Sequence, residues 1–178
     1  MSGWRPGDAK RATESMIRVD QAGEYGATRI YAGQLAVMGD RTPAARKIAG
    51  MAGQEGRHRA FFDAMMARRG VRPTLLQPFW NVAGFALGAA TALIGPKAAM
   101  ACTAAVETEI DRHYGEQLEA LGAEDPTLAA DIALFRAEEL EHQATAREHG
   151  AGEALGYPVL SAVIRAGCRV AIGLSKRI

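Results

Sequence analysis

Two Glu-x-x-His motifs, each with a distant glutamate before it, constrain this chain more than any other feature. The motifs are Glu55-Gly56-Arg57-His58 and Glu139-Leu140-Glu141-His142. On a helix, a Glu and a His three residues apart lie on one face, one turn from each other, so both can reach the same metal region. Glu24 precedes Glu55 by 31 residues, and Glu107 precedes Glu139 by 32. The two halves repeat. Glu55 to Glu139 and His58 to His142 are each 84 residues apart, and Glu24 to Glu107 is 83.

Helix breakers decide whether these residues can meet. Alanine, leucine, methionine, glutamate and arginine dominate, and the alternating Val/Thr/Tyr runs of strands are missing, so the chain reads as all-α. A first helix is expected from about Lys10 to Met38, stopping at Gly39-Asp40-Arg41-Thr42-Pro43. A second runs from about Pro43 to Arg69, with Thr42 as N-cap and Pro43 at the first helical position. After an apolar stretch, Phe79 to Ile94, come helices over about Pro96–Leu121 and Pro126–His149, the latter capped by Asp125. A tail from about Glu153 to Leu174 sets Leu155, Val159, Val163, Val170 and Leu174 near one helical stripe.

In an antiparallel helical hairpin, two residues lie side by side only when they are equidistant from the turn. The midpoint of Glu24 and Glu55 is 39.5, on Gly39-Asp40, and that of Glu107 and Glu139 is 123, inside Gly122-Ala123-Glu124-Asp125-Pro126. Each glutamate then stands roughly 24 Å from its turn, at ~1.5 Å rise per residue. The turns and the glutamates agree.

Two such hairpins packed together bring four carboxylates (Glu24, Glu55, Glu107, Glu139) and two imidazoles (His58, His142) into one core. That is the ligand set of a di-iron carboxylate centre. Two divalent cations would cancel four carboxylate charges that otherwise repel one another and lose their hydration. Mixed oxygen and nitrogen ligands suit iron or manganese, and the lack of cysteine ligands argues against a structural zinc. One Glu-x-x-His alone is most often a solvated helix face; two, each with a turn-symmetric glutamate, favour metal. The other acids of these helices, Glu109, Glu116, Glu119, Glu138 and Glu141, are expected as surface charges. His149 is expected as the partner of a helix C-terminus, and Cys102 and Cys168 as small core residues.

Composition narrows the partners. The chain of 178 residues is expected to form one domain over 1–178, with residues 1–9 as a flexible N-terminus. Lys+Arg 21 against Asp+Glu 20 leaves a net charge of +1, with no excess to steer the chain to nucleic acid. Two cysteines make no disulfide scaffold, so a reducing compartment is expected. The first residues, Met1-Ser2-Gly3-Trp4-Arg5, show neither the apolar run of a secretory signal nor an Arg/Ser-rich transit peptide. Phe79–Ile94 carries no charge, but it is short of the ~20 apolar residues of a span and is broken by Gly84 and Gly88. An interfacial helix dipping into one leaflet, with Trp80 near the headgroups, is favoured over a plain core helix. Arg165, Arg169, Lys176 and Arg177 would add attraction to anionic lipid.

The surroundings of the six ligand candidates resemble a known family. Arg18-Val19-Asp20-Gln21-Ala22-Gly23-Glu24-Tyr25-Gly26-Ala27, then Trp80-Asn81-Val82-Ala83-Gly84-Phe85, Ala105-Val106-Glu107, His113-Tyr114 and Glu138-Glu139-Leu140-Glu141-His142 are similar to the demethoxyubiquinone hydroxylases, the di-iron monooxygenases of ubiquinone biosynthesis. The resemblance extends from about residue 11 to the end of the chain. It implies a ferritin-like antiparallel four-helix bundle with an extra apolar helical segment and a C-terminal helix. It implies two iron ions held by Glu24, Glu55, His58, Glu107, Glu139 and His142, with Glu55 or Glu139 as a bridge. It also implies hydroxylation of a demethoxyubiquinol-type polyprenyl quinol, with O₂ as co-substrate.

His113 and Tyr114 match the family's functional pair and are expected to act beside the metals or on the substrate side. Asp20, one turn before Glu24, could orient a ligand histidine or be an ordinary surface acid. Gln21 stands where many relatives are expected to carry histidine. The expected setting is the cytoplasmic or matrix-like face of an inner membrane, with an external reductant (NADH or reduced quinone) and a lipid-presenting protein as further partners. A ferritin- or rubrerythrin-like oxidase or peroxide scavenger would share the six ligands, and a helical adaptor would carry them by coincidence.

Overall fold

Two of the long helices begin where the sequence supplies a side-chain cap. Thr42 Oγ1 accepts from the Ala45 amide at 3.1 Å, and Pro43 follows at a position whose N–H needs no partner. Asp125 Oδ1 accepts from the Leu128 amide at 3.1 Å, ahead of Pro126. Gly70 closes the second helix at φ 66°, a left-handed conformation that costs a glycine nothing.

In a computed structural model, which describes residues 8–40, 42–122 and 124–178, the helices are α1 Asp8–Met38, α2 Pro43–Arg69, α3 Gln77–Ile94, α4 Pro96–Leu121, α5 Pro126–Glu148 and α6 Tyr157–Ser175. A short 3₁₀ turn, Ala151–Glu153, precedes α6, and no strand occurs among the described residues. Residues 1–7 of the expected flexible N-terminus lie outside the described residues, while Asp8 and Ala9 already belong to α1.

The bundle is α1, α2, α4 and α5, with α1–α2 and α4–α5 as its hairpins. Helix α3 runs parallel to α1 and returns the chain along the length of the bundle. The two helices touch backbone to backbone. A Cβ on Gly88 would fall 1.9 Å from the Ile30 carbonyl oxygen, and one on Gly33 would fall 2.1 Å from that of Phe85. Only glycine allows so close an approach. Helix α6 packs along α4 and also meets α1, and the C-terminal residue is tied down by Thr74 Oγ1, which donates to the Ile178 carbonyl at 2.6 Å.

Two apolar layers lie along the bundle, and a third cluster of Cys102, Ala105, Val106 and Ile164 joins α4 to α6. One layer gathers Tyr31, Ile48, Met51 and Ala98, Ala99, Met100 and Ala101 of α4. The other holds Ile17, Phe62, Met65, Tyr114, Leu128, Ile132 and Phe135. Between them sits a polar layer of buried Glu24, Glu55, His58, Glu107, Glu139 and His142, each at most 2% exposed.

Candidate metal centre

All six ligand candidates converge. Ligand atoms of Glu24, Glu55, His58 and Glu139 lie within 4.8 Å of one another, and so do those of Glu55, Glu107, Glu139 and His142. The two groups share Glu55 and Glu139, so together they could hold two ions side by side, with both Glu-x-x-His glutamates common to the two positions. His58 Nδ1 lies 3.0 Å from Glu139 Oε1 and 3.5 Å from Glu24 Oε2. His142 Nδ1 lies 3.1 Å from both Glu55 Oε1 and Glu139 Oε2.

The donor atoms fit a pair of cations. Glu24 Oε2, Glu55 Oε1 and Oε2, Glu107 Oε2, Glu139 Oε1 and His58 Nδ1 are all buried without a hydrogen-bond partner. Buried polar atoms left unpaired are costly, and here they point at one another. A divalent ion at each position would satisfy them and balance four carboxylate charges with four positive ones.

The protonation pattern without metal carries the same message. Burial, then the charges of Glu24, Glu139 and Glu107, push Glu55 well above the carboxylate range. Burial and the Glu139 charge push Glu107 up as well. Burial acts on Glu139 in the same sense, but contacts from His142 and His58 outweigh it and hold that carboxyl at about 2. For His58, burial alone would lower the pKa, yet Glu139, Glu24 and Glu138 push it up to about 10. Protons stand where metal charge would otherwise be.

Two tyrosines close the centre. Tyr114 Oη donates to Glu24 Oε1 at 2.5 Å, and Tyr31 Oη donates to Glu107 Oε1 at 3.0 Å. Burial, then neighbouring carboxylates, pushes both hydroxyls well above their ordinary pKa, which keeps them donors. His113 lies away from the ligand oxygens, 3.3 Å from Asp20 Oδ1 and 3.0 Å from Gln117 Nε2. Gln117 in turn donates to Asp20 at 2.6 Å. Burial raises the Asp20 pKa although His113 and Gln117 oppose it.

Several expectations need correction. Asp20 is no surface acid and orients no ligand histidine; it is 3% exposed and pairs with His113. Glu138 is not simply a solvated charge, because its Oε2 reaches His58 Nε2 at 2.5 Å. Glu109 is fully buried, sealed by Arg165 at 2.7 Å, Arg169 at 2.8 Å and Arg112 at 3.0 Å. Burial would raise its pKa, but those arginines outweigh it and leave it below the usual range. Two of the four tail cations expected to seek lipid are thus engaged with Glu109.

Glu116, Glu119 and Glu141 are exposed as expected. His149 Nδ1 meets the Thr145 carbonyl at 2.9 Å, at the end of α5. Cys102 is buried and Cys168 half-buried, and burial pushes both thiols up to about 12. Gln21 donates to Asp63 at 2.8 Å, tying α1 to α2 and leaving the ligands untouched.

Sequence reasoning missed Tyr31 and Gln54. Tyr31 follows Glu24 by seven residues, the same interval that separates Tyr114 from Glu107, so the repeat itself held the signal. Gln54 Oε1 meets His142 Nε2 at 2.8 Å.

Beside the centre, an apolar cavity of about 370 Å³ opens between α1, α3, α4 and α6. Gly23 and Ala27, neighbours of Glu24, line it together with Val106, neighbour of Glu107. Trp80, Leu87, Ile164 and Cys168 form the far walls, and Glu109 is the charged residue among those lining it. Helices α3 and α6 flank the cavity and do not pack against each other among the described residues. Their outer faces are apolar and exposed: Phe79 59%, Val82 68% and Leu93 75% on α3, Val159 70% and Val170 61% on α6. Among the described helices, α6 alone is long and apolar enough to cross a membrane by length and composition, and 11% of it is buried.

Known proteins match this chain over nearly its whole length. The family described as "Ubiquinone biosynthesis protein COQ7" matches residues 11–175. The 3-demethoxyubiquinol 3-hydroxylase of Rhodospirillum rubrum is 52% identical over 175 residues, 97% of this chain and 82% of that protein. The human mitochondrial NADPH-dependent 3-demethoxyubiquinone 3-hydroxylase is 52% identical over 174 residues, 96% of this chain and 80% of that protein. The mitochondrial 5-demethoxyubiquinone hydroxylase of Saccharomyces cerevisiae is 44% identical over 188 residues, with 96% and 81% covered. The match spans helices α3 and α6 as well as the four helices of the bundle. The chain belongs to the COQ7 family, the di-iron monooxygenases of ubiquinone biosynthesis.

Proposed function

We infer that this chain hydroxylates the ring of a 3-demethoxyubiquinol-type polyprenyl quinol, as the names of its relatives say of those proteins. Glu24, Glu55, His58 and Glu139 would hold one iron, and Glu107, Glu55, Glu139 and His142 the other. Bound there, the irons supply the electrons and open coordination positions that O₂ activation needs, one oxygen entering the ring and the other leaving as water. The reductant comes from outside the chain, as NAD(P)H or as reduced quinone.

The apolar cavity lined by Gly23, Ala27 and Val106, which lie beside Glu24 and Glu107 in the sequence, is the observation that carries this reading. Its small residues, Gly23, Gly26 and Ala27, leave room for a flat ring beside the ligand layer. Trp80, Leu87 and Ile164 exclude water from it, which strengthens the electrostatics within. Tyr114 fixes the Glu24 carboxylate through a single donated proton, and His113, held by Asp20 and Gln117, stands one helical position away as the nearest buried imidazole that is not a ligand. A polyprenyl tail leaves between α3 and α6, whose exposed apolar faces rest in one leaflet of an inner membrane. Arg165 and Arg169 in mid-α6 bind Glu109, so α6 lies along the bundle and does not cross the bilayer.

The test is isotopic. The iron-loaded chain, given reductant, a demethoxyubiquinol and oxygen-18 gas, should yield a hydroxylated quinol carrying one labelled oxygen. Consumption of O₂ with no label in the ring would reject a hydroxylase in favour of an oxidase.

A further inference from the structure

Each histidine of the centre is held from behind by a residue of the opposite hairpin, and the two holders differ in charge. His58 turns Nδ1 inward, and its Nε2 meets Glu138 Oε2 at 2.5 Å. His142 also turns Nδ1 inward, and its Nε2 meets Gln54 Oε1 at 2.8 Å. Gln54 immediately precedes Glu55, and Glu138 immediately precedes Glu139. They are 84 residues apart, the interval that relates the two motifs, so they are two copies of one position. One copy is a carboxylate and the other an amide.

An acceptor on the outer nitrogen of an imidazole fixes the ring and makes its inner nitrogen a stronger donor to metal. A carboxylate does this more strongly than an amide oxygen, because hydrogen bonds to ionised acceptors are shorter and roughly twice as strong. Neither holder lines the cavity, so their effect falls on the metals and not on the substrate wall.

We propose that Glu138 and Gln54 are positioning residues that make the two metal positions unequal, the His58 position being the tighter and the first to fill. This inference rests on the ligand set given under the proposed function. Acceptors of this kind are worth about 10–100-fold in metal affinity. The difference in charge between two equivalent holders is what would separate the positions.

The experiment loads the full chain anaerobically with ferrous iron-57 and records Mössbauer spectra at one and two equivalents. In the native chain one quadrupole doublet should dominate at one equivalent, and a second should grow only with the second equivalent. Glu138→Gln should weaken the first step by about 10–100-fold, so that both doublets grow together. Glu138→Asp should restore the order of filling. Gln54→Glu should also level the positions, by tightening the second, and it settles the matter if Glu138→Gln does not fold. Even filling in the native chain, or an unchanged order in both Glu138→Gln and Gln54→Glu, overturns the proposal. A chain that binds fewer than two irons instead overturns the ligand set beneath it.

Discussion

Tyr31 on α1 donates its hydroxyl to Glu107 on α4 across 3.0 Å, the counterpart of the bond that Tyr114 on α4 makes to Glu24 on α1 across 2.5 Å. Each tyrosine follows the glutamate of its own helix by seven residues and serves that of the other. The two antiparallel helices are thereby cross-linked on both sides of the metal layer. A hydrogen bond to an ionised group is worth about 1.5–3 kcal/mol, so Tyr31→Phe and Tyr114→Phe should each destabilise the iron-loaded chain by that amount. Denaturant unfolding checks this. A change within about 0.5 kcal/mol for both, the range of an ordinary surface substitution, would show that the cross-links are idle.

The metal-free chain should lose stability as pH rises. His58 is raised from 6.5 to about 10, so its proton stabilises the fold fully below about pH 6.5, and that contribution is lost on the way to pH 10. Glu55 and Glu107, raised by burial and neighbouring carboxylates, act in the same sense above their ordinary range. The folded state then holds more protons than the unfolded one, which gives a negative slope of stability with pH. Metal displaces those protons, so the loaded chain should lack this slope and bind iron more tightly at higher pH. Melting curves of both forms between pH 6 and 9 decide it, and parallel curves would count against a shared buried centre.

The ligand layer was legible in the sequence because it obeys two periodicities at once, the helical turn and the hairpin midpoint. Glu55 with His58 and Glu139 with His142 obey the first, Glu24 with Glu55 and Glu107 with Glu139 the second, and all six come together. The limits of α2 and α4 were legible for a simpler reason, since Thr42, Pro43 and Pro96 mark their starts and Gly70 and Gly122 their ends. Glu109 and Glu138 were not legible as contact residues. Their partners, the arginines of α6 for one and His58 of α2 for the other, come from helices whose packing no local pattern fixes. Asp20 was misread for the same reason: its neighbour His113 lies on α4. The apolar stripe of α6 read as a helix face, but whether it turned inward or outward depended on Arg165 and Arg169 finding Glu109.

Glycine at the α1–α3 contact should be irreplaceable, while glycine at the open mid-helix positions of α2 should be a liability. A Cβ at Gly88 or Gly33 would overlap backbone oxygen at 1.9 or 2.1 Å, so alanine at either must push the two helices apart. Nothing lies within 4 Å of a Cβ at Gly50 or Gly53 on α2. There alanine should raise stability by roughly 0.8–1 kcal/mol, the difference in helix propensity. Thermal melts of Gly88→Ala and Gly50→Ala should therefore move in opposite directions.

Glu109 should fasten α6 more than it stabilises the whole chain. Its three arginine partners are 40–48% exposed, and ion pairs of that kind are worth no more than ~1 kcal/mol each. Glu109→Gln keeps the shape and removes the charge that gathers them. Hydrogen exchange should quicken in α6 and stay unchanged in α2 and α5. Uniform quickening across the bundle would assign Glu109 to general stability instead.

The outer faces of α3 and α6 should govern membrane binding without touching the iron centre. Val82 and Leu93 on α3 and Val159 and Val170 on α6 are 61–75% exposed and line no part of the cavity. Phe85 and Leu87 are poorer probes, because Phe85 lies beneath the Arg29 guanidinium at 5.3 Å and Leu87 belongs to the cavity wall. Replacing one pair with serine removes roughly 3–6 kcal/mol of potential burial, at ~1.5–3 per large side chain. If an interface realises only 2–3 kcal/mol of it, the partition still changes about 30- to 150-fold, since ~1.4 kcal/mol is tenfold. The serine variants should keep their melting temperature, because the replaced side chains already face solvent. They should stop sedimenting with anionic vesicles and lose turnover of a long-tailed quinol, yet keep turnover of a short-tailed analogue. Equal loss on both substrates, with vesicle binding intact, would remove α3 and α6 as the membrane face.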